Sequence, residues 1–304
     1  MNIIETNRLT RRFWRTEAVH DLTLTVPEGS VTALLGPNGA GKTTTLKLLM
    51  NLLTPTAGTA RVFGVDSRLL GERERAQIGY VSENQQLPDW MTVRQLLDYC
   101  RPFYPGWDRT LETQLLQRFD LPPERKLKQL SRGMRMKAAL LSSLAYRPRL
   151  IVLDEPFSGL DPLVRDDFVR GILEVSAQGD WTVLISSHDI EEVERLADRI
   201  AVLDAGRLQF AEPTEALLNR FRRVEVSLPR AVSTSGDSPA DWLELEQQDG
   251  LVRFVTSQYH PDETEQLCRA RYPEATVTVR AMALREIFIV QARGGHRTEK
   301  GILA

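Results

Sequence analysis

Residues 36–43 (GPNGAGKT) have the types and spacing of a loop that binds phosphate groups. They match the pattern G-x-x-x-x-G-K-[ST] at every constrained position. Glycines let the backbone curl until successive amide N–H groups point at phosphate oxygens. Lys42 would reach the β- and γ-phosphates of a nucleotide, and the hydroxyl of Thr43 would ligate Mg²⁺. The sequence therefore predicts phosphate contacts for Gly36, Pro37, Asn38, Gly39, Ala40, Gly41, Lys42, Thr43 and Thr44.

Two adjacent carboxylates, Asp154 and Glu155, follow the apolar run at residues 150–153 (LIVL). A carboxylate beside a phosphate loop can hold Mg²⁺, usually through the water shell of the ion. Glu155, one residue further, would face an attacking water and accept its proton. An ordinary strand followed by an acidic loop would explain this run if it stood alone. Together with the phosphate loop, the run favours phosphoryl chemistry with Mg²⁺, because each motif needs the other.

Three apolar runs must bring these groups together. Residues 31–35 (VTALL) predict a buried strand before the phosphate loop, and residues 44–53 predict a helix after it. Residues 150–153 predict a second buried strand, and residues 182–186 (TVLIS) predict a third, which ends just before His188. Continuous apolar runs are typical of strands buried on both faces of a parallel sheet. Since ligands bind at the carboxyl ends of such strands, we expect the loop, the carboxylates and the histidine at one edge.

Residues 154–162 (DEPFSGLDP) resemble the acidic pair and the D-loop of the ATP-binding subunits of ABC transporters. Other motifs of that family occur in the expected order. Residues 130–134 (LSRGM) resemble the ABC signature LSGGQ, and residues 186–189 (SSHD) resemble the H-loop. Residues 78–83 (IGYVSE) resemble the segment that leads into the Q-loop, and Phe13 lies where the family has its adenine-stacking aromatic. The resemblance extends from about residue 3 to about residue 218.

Two of these motifs depart from the family pattern. Arg132 stands where the signature has a glycine, and Met134 stands where it has its final glutamine. The position of the Q-loop glutamine falls on Glu83, with Gln85 and Gln86 shortly after. A glutamate there can still bind Mg²⁺ or water, but it carries a charge that glutamine lacks.

The resemblance implies a P-loop NTPase fold of the α/β class. Its ABC ATPase core would contain a mostly parallel sheet, an antiparallel β region and a helical subdomain at about residues 84–147. We expect this ATPase domain to span residues 1–218. Residues 219–304 alternate strand-like and helix-like patterns and predict a small C-terminal α+β domain, with a disordered tail at about residues 294–304.

The resemblance also implies ATP and Mg²⁺ as cofactors and a role for each motif. Glu155 and His188 would be the catalytic residues, the first activating water and the second contacting the γ-phosphate. Thr43, Glu83 and Asp154 would hold the metal ion. Outside the phosphate loop, the nucleotide would be contacted by Phe13, Ser131, Gly133 and Asp161.

Ser131 and Gly133 precede a strong helix-forming run at residues 134–146, and Ser131 is a good N-cap candidate. A helix N-terminus binds anions, but the phosphate loop already leads into another one. The resemblance therefore implies that two subunits pair head to tail, each signature helix closing the ATP site of the other. The second subunit would be another copy or a related ATPase.

A basic cluster surrounds the signature. It has two interpretations, a solvated helix face or a surface that contacts a membrane partner or anionic headgroups. Its members are Arg125, Lys126, Lys128, Arg132, Arg135 and Lys137.

Composition narrows the classes of function. The net charge of −2 gives no basic footprint for nucleic acid, so we expect no nucleic-acid partner. The two cysteines are far apart, which fits a reducing compartment and no structural zinc. No apolar run approaches the roughly 20 residues of a membrane span, and residues 1–14 lack the apolar core of a secretory signal.

The leading hypothesis is an ATPase that energises transport, most simply an exporter with a separate permease subunit. We expect it at the cytoplasmic face of the inner membrane, held there by that permease. The alternative is a soluble ABC ATPase acting on ribosomes or DNA, although such proteins usually have paired cassettes or a long coiled-coil insertion. A small-molecule kinase would need neither the signature nor the D-loop.

Overall fold

The structure is a computed structural model that describes residues 1–177, 181–228 and 238–291. The chain divides into two compact units, Met1–Ala211 and Glu212–Ala304. The boundary expected from the sequence, after residue 218, lies seven residues further along the chain and inside the helix Thr214–Arg220. The predicted disordered tail at residues 294–304 lies outside the described residues.

The first unit contains both strands and helices. Its strands are β1 (Asn2–Phe13), β2 (Thr16–Leu22), β3 (Thr25–Pro27), β4 (Val31–Leu35), β5 (Ala57–Val62), β6 (Val65–Asp66), β7 (Ile78–Ser82), β8 (Leu150–Asp154), β9 (Thr182–Ser187), β10 (Arg199–Asp204) and β11 (Arg207–Pro213). Its helices are α1 (Lys42–Leu49), α2 (Glu72–Arg75), α3 (Val93–Cys100), α4 (Arg109–Arg118), α5 (Arg132–Leu144) and α6 (Pro162–Ala177).

The central sheet has the strand order β11-β10-β4-β9-β8-β7. The pairs from β10 to β7 are parallel, so their carboxyl ends meet at one edge. Every residue of β4, β8 and β9 is buried, as a strand covered on both faces requires. The predicted parallel core is therefore confirmed, and the three predicted strands match β4, β8 and β9 to within one residue.

An antiparallel sheet forms the second layer, with the order β2-β1-β5-β6 and with β3 also paired to β1. Its inward side chains, including Ile4, Leu9 and Leu22, have no exposed surface. They pack in one apolar cluster with Leu34 of β4 and Leu46 of α1. The antiparallel β region predicted from the resemblance is thus present, and it shares an apolar core with β4 and α1.

Side-chain caps begin the helices of the predicted helical subdomain. Thr92 accepts a hydrogen bond from the backbone N–H of Gln95 at the start of α3. Ser131 accepts one from Met134 and caps α5, which begins at Arg132. Helix α1 is shorter than the predicted span of residues 44–53, because it ends at Leu49.

The second unit contains α7 (Thr214–Arg220), β12 (Arg222–Ser227), β13 (Trp242–Gln248), β14 (Leu251–Thr256), α8 (Pro261–Arg271), β15 (Thr276–Ala281) and a helix at residues 284–291. Its antiparallel sheet has the order β13-β14-β12-β15. Trp242 and Phe254 stack with ring centroids 3.8 Å apart in a core that also contains Cys268 of α8. The predicted α+β pattern is confirmed for these described residues, whereas β13 was not predicted. Within the same ranges, no helix combines the length and the apolarity that crossing a membrane requires.

Asp108 provides a test of how α4 is anchored. Its Oδ1 accepts hydrogen bonds from the backbone N–H groups of Thr110 (2.8 Å) and Leu111 (3.0 Å). Its Oδ2 accepts one from Arg147 at 2.8 Å. The backbone bond from Leu111, followed by the bond from Arg147, holds the pKa of the Asp108 carboxyl below its usual value. The stabilisation is therefore present above the unfolded-state pKa and is lost as pH falls through the folded-state pKa.

We expect Asp108→Ala to lower the free energy of unfolding by about 1 kcal/mol at pH 7. Asp108→Asn retains a cap acceptor and removes only the charge, so its deficit should be smaller. That deficit should shrink as pH falls below about 4, where the unfolded carboxyl begins to bind its proton. Urea unfolding of the three proteins at several pH values checks this. If the difference in free energy of unfolding between the wild-type protein and Asp108→Asn does not change with pH, the ionic part of the interaction is contradicted.

Candidate functional site

The predicted site lies at the carboxyl edge of the central sheet. The phosphate loop leaves β4 and enters α1, the two carboxylates end β8, and His188 follows β9. These strands are neighbours in the order β4-β9-β8. The edge predicted from the sequence is therefore the place where the three motifs converge.

Gly41 ends the phosphate loop in a conformation that only glycine adopts easily. Its φ is +99°, in the left-handed region, and it immediately precedes the first residue of α1. A Cβ atom at this position would lie 2.3 Å from the backbone oxygen of Ala18, which belongs to β2. The loop and the antiparallel sheet thus touch through backbone atoms, and no side chain fits between them.

Lys42 is buried, with 5% of its surface exposed, and its ammonium group contacts three oxygen atoms. Its Nζ donates to the carbonyl oxygens of Gly36 (2.7 Å) and Pro37 (3.1 Å). It also forms an ion pair with Oε1 of Glu155 at 3.0 Å. These contacts join the phosphate loop to the carboxylate that follows β8 and place a buried cation beside the loop.

Asp154, the last residue of β8, connects the phosphate loop to β9. Its Oδ1 accepts hydrogen bonds from Thr43 Oγ1 (2.9 Å) and Ser186 Oγ (2.8 Å), and the carboxylate is buried. Ser186 Oγ in turn accepts a hydrogen bond from the backbone N–H of Glu155 at 3.0 Å. A hydroxyl and a carboxylate oxygen in contact are a hard oxygen donor set, so Thr43 and Asp154 fit Mg²⁺.

Glu155 is held from both sides. Oε1 contacts Lys42, and Oε2 lies 2.8 Å from Nδ1 of His188. The glutamate has a φ of +50°, a left-handed conformation that is strained for a residue with a side chain and that often occurs at functional sites. His188 is partly exposed, with 42% of its side-chain surface accessible. The carboxylate is therefore oriented between a buried cation and an imidazole at the surface.

A buried carboxylate behind the histidine was missed by the sequence analysis. Glu192 accepts a hydrogen bond from Ser187 Oγ (2.5 Å) and pairs with Nη2 of Arg165 on α6 (3.0 Å). Burial raises the pKa of the Glu192 carboxyl, while the bond from Ser187 and the charge of Arg165 oppose that shift. The hydrogen bond to Glu192 fixes Ser187, which immediately precedes His188. The only sequence signal was an acidic pair after the H-loop, which also fits an exposed turn.

The structure gives Ser131, Gly133 and Asp161 local roles. Ser131 caps α5, and Oδ1 of Asp161 accepts the backbone N–H of Val164 at 3.0 Å in the first turn of α6. Gly133 is buried, and a Cβ there would lie 2.6 Å from Cγ1 of Val164. The signature and the D-loop therefore begin two helices in close contact. Their predicted contacts with a nucleotide remain predictions.

Phe13 and Glu83 occupy different surroundings. Phe13 ends β1, is 37% exposed, and has the guanidinium of Arg11 over its ring at 4.4 Å. Its ring thus offers surface on which a base could stack. Glu83 follows β7, and its Oε1 accepts hydrogen bonds from Nη2 of Arg132 (2.5 Å) and Oγ of Ser158 (2.9 Å). The predicted metal contact of Glu83 remains a prediction, because this oxygen is shared by two protein donors.

A P-loop NTPase of the ABC type is the class that this fold and this edge define. Residues 19–158 match the family model described as "ABC transporter". The chain is 31% identical over 231 residues to the ABC transporter ATP-binding protein YtrB of Bacillus subtilis, covering 76% of this chain and 79% of YtrB. It is 32% identical to the daunorubicin resistance ATP-binding protein DrrA2 of Streptomyces coeruleorubidus, over 97% of this chain and 96% of DrrA2.

An import protein is also similar. The sulfate/thiosulfate import ATP-binding protein CysA of Salmonella typhi is 35% identical over 69% of this chain, which spans 60% of CysA. Among solved structures, an ATP-binding subunit of an ABC transporter aligns with a TM-score of 0.65 and 28% identity, over 71% of this chain and 92% of its own. The chain therefore belongs to the ABC transporter ATP-binding proteins, and it is an ATPase of that family.

The left-handed glycines of the loop supply a matched pair of variants. Gly41→Ala would introduce both a strained φ and a contact with Ala18, whereas Gly39→Ala, with a φ of +85°, would place its Cβ in open space. Both should lose about 1–2 kcal/mol through backbone strain, and Gly41→Ala should lose more and bind ATP more weakly. Thermal unfolding and binding of a fluorescent ATP analogue measure the two effects. Equal losses in the two variants would show that the contact with Ala18 relaxes freely.

Proposed function

We propose that the protein energises export as the ATP-hydrolysing subunit of a transporter whose permease is a separate chain. The observation that carries the proposal is the Glu155 carboxylate, held between the buried ammonium of Lys42 and the imidazole of His188. It lies at the end of the strand that also presents Asp154 to Thr43. Such a carboxylate is placed to orient water beside a bound triphosphate.

The proposed roles follow from these contacts. The loop amides and Lys42 bind the β- and γ-phosphates, exchanging the carbonyl contacts of Lys42 for phosphate oxygens. Thr43 and Asp154 hold Mg²⁺, which neutralises charge that develops on the phosphates. Glu155 accepts a proton from the attacking water, and His188 contacts the γ-phosphate. Phe13 stacks on the adenine.

A second subunit completes the site in this proposal. Helix α5 is 13 residues long, and its N-terminus, capped by Ser131, would bind an anion. The phosphate loop of the same chain leads into α1. The phosphates bound at each loop would therefore contact the N-terminus of α5 from a partner subunit, with Asp161 nearby. The partner is another copy or a related ATPase, and the pair lies at the cytoplasmic face of the inner membrane against the permease.

The direction of transport rests on the extent of the similarity. The relative named for drug resistance matches 97% of this chain, including the second unit. The import relative matches 69% of the chain and contains much that this chain does not match. Agreement along nearly the whole length supports export.

Glu155→Gln should trap the ATP-bound state. Glutamine keeps the size and one acceptor but cannot accept a proton, so ATP should still bind while hydrolysis falls by about 100-fold or more. A protein that binds ATP between two subunits and cannot hydrolyse it should accumulate as a dimer. Light scattering with and without ATP, together with phosphate release, measures both properties.

Lys42→Ala is the matched control for Glu155→Gln, since it removes the other half of the same ion pair. It should lose both ATP binding and hydrolysis and should stay monomeric. Lys47→Ala, in the last turn of the same helix, should behave as the wild-type protein. A Glu155→Gln protein that turns over ATP normally, or that stays monomeric in saturating ATP, would refute the assigned role.

The permease partner is the decisive test of the transport proposal. The tagged protein, purified from detergent-solubilised membranes of its source cells, should carry a polytopic membrane protein with it. Vesicles containing both chains should hydrolyse ATP faster than the chain alone with empty vesicles, and the Lys42→Ala complex should not. An unchanged rate in the reconstituted complex would count against this function.

Deletion of the chain tests the direction in the same cells. An exporter should leave the deletion strain more sensitive to some members of an antibiotic panel, with resistance restored by the wild-type protein and not by Lys42→Ala. A growth defect that a supplied nutrient relieves would indicate import instead.

A further inference from the structure

Two charged residues stand where the family pattern has uncharged ones, and the structure brings them together. Glu83 follows β7, and Arg132 is the first residue of α5, 49 positions later. Nη2 of Arg132 donates to Oε1 of Glu83 at 2.5 Å. The departure in the Q-loop and the departure in the signature are therefore one interaction rather than two independent changes.

The D-loop takes part in the same contact. Oγ of Ser158 donates to the same Oε1 of Glu83 at 2.9 Å. The Arg132 guanidinium lies against Gly159, where a Cβ would be 2.5 Å from Nη1 and 2.9 Å from Cζ. Gly159 has a φ of +66°, a left-handed backbone conformation that favours glycine, and the atoms nearest to it belong to the end of the Arg132 side chain. One carboxylate thus links the end of β7, the start of α5 and the loop before α6.

This cluster is attached directly to the edge that carries the catalytic carboxylates. The backbone N–H of Glu83 donates to the carbonyl oxygen of Asp154 at 2.9 Å. The backbone N–H of Ser158 donates to the carbonyl oxygen of Glu155 at 3.3 Å. Any shift of the Glu83–Arg132 contact therefore acts on the backbone of the two residues next to the phosphate loop.

The charges need each other for electrostatic reasons. An arginine in the first turn of a helix is opposed by the positive end of the helix dipole, and the first turn of α5 has no acidic residue of its own. Glu83 supplies that negative charge from another element. Without Arg132, the Glu83 carboxylate would lose its cationic partner and keep only the hydrogen bond from Ser158. Each single change leaves a charge uncompensated, and the double change does not.

We propose that Glu83 and Arg132 act as one positioning pair for ATP hydrolysis. Their ion pair holds the N-terminus of α5 against the loop at residues 158–159 and fixes it relative to Asp154 and Glu155. The rate of hydrolysis depends on the pair as a unit, whereas initial binding of ATP to the phosphate loop does not. The use of the α5 N-terminus in hydrolysis rests on the function proposed above.

A second ion pair on the same helix provides the control. Nη2 of Arg135 contacts Oδ1 of Asp89 at 2.6 Å, a distance like that of the Glu83–Arg132 contact. It joins α5 to the segment after β7 but includes neither Ser158 nor Gly159. An ordinary exposed ion pair contributes little, so the two pairs separate general electrostatics from positioning.

The experiment is a double-mutant cycle with Glu83→Gln, Arg132→Gln and the double variant, which removes the charges and keeps side chains of similar reach. Phosphate release gives kcat and KM, a fluorescent ATP analogue gives the dissociation constant, and thermal unfolding monitors folding. We expect each single variant to lower kcat by about tenfold with ATP binding nearly unchanged, and the double variant to recover to within about threefold of wild type. Asp89→Asn, Arg135→Gln and their double variant should stay within about twofold throughout.

Three outcomes would overturn the proposal. They are an additive Glu83–Arg132 cycle, the same non-additivity in the Asp89–Arg135 cycle, or a lower melting temperature with kcat and ATP binding unchanged. Lys42→Ala separates this failure from failure of the ATP site. If Lys42→Ala abolishes hydrolysis while the cycle is additive, only the positioning pair is wrong. If Lys42→Ala hydrolyses ATP normally, the phosphate-loop assignment is wrong whatever the cycle gives.

Discussion

The arrangement of the site depends on the ion pair between Lys42 and Glu155. A buried ammonium is strongly unfavourable unless its charge and its donors are satisfied. Here the Lys42 ammonium donates hydrogen bonds to two loop carbonyl oxygens and pairs with one carboxylate, which follows a different strand. The pair can form only if β4 and β8 end at the same edge of the sheet. The parallel order of the central strands is therefore the structural condition for the chemistry.

Between β4 and β8 lies β9, and its residues connect the groups on either side. Ser186 bonds Asp154 and the backbone of Glu155, and His188 contacts the Glu155 side chain. Ser187 points the other way, to Glu192 and through it to Arg165 on α6. Three consecutive residues thus divide their contacts between the phosphate edge and the helix that follows the D-loop. A change in the position of His188 would be opposed by bonds on both sides.

The sequence predicted the parts of this structure that have a short-range signal. The phosphate loop, the buried strands β4, β8 and β9, and the Ser131 cap were all identified from local patterns. The strand β13 was missed because most of its side chains face solvent, so its polar run resembles a loop. The pairs Glu192–Arg165 and Glu83–Arg132 could not be predicted, because each joins residues that are far apart in sequence and have no pattern in common.

Helix α5 shows why a cluster of like charges cannot be interpreted from sequence alone. Arg132, Arg135 and Lys137 belong to the basic cluster, for which the sequence left a solvated face or a partner surface as alternatives. In the structure each is paired with a carboxylate from another element, namely Glu83, Asp89 and Asp167. Lys137 is itself buried. These cations hold α5 to the segment after β7 and to α6, so a local excess of positive charge here serves to join elements of one domain.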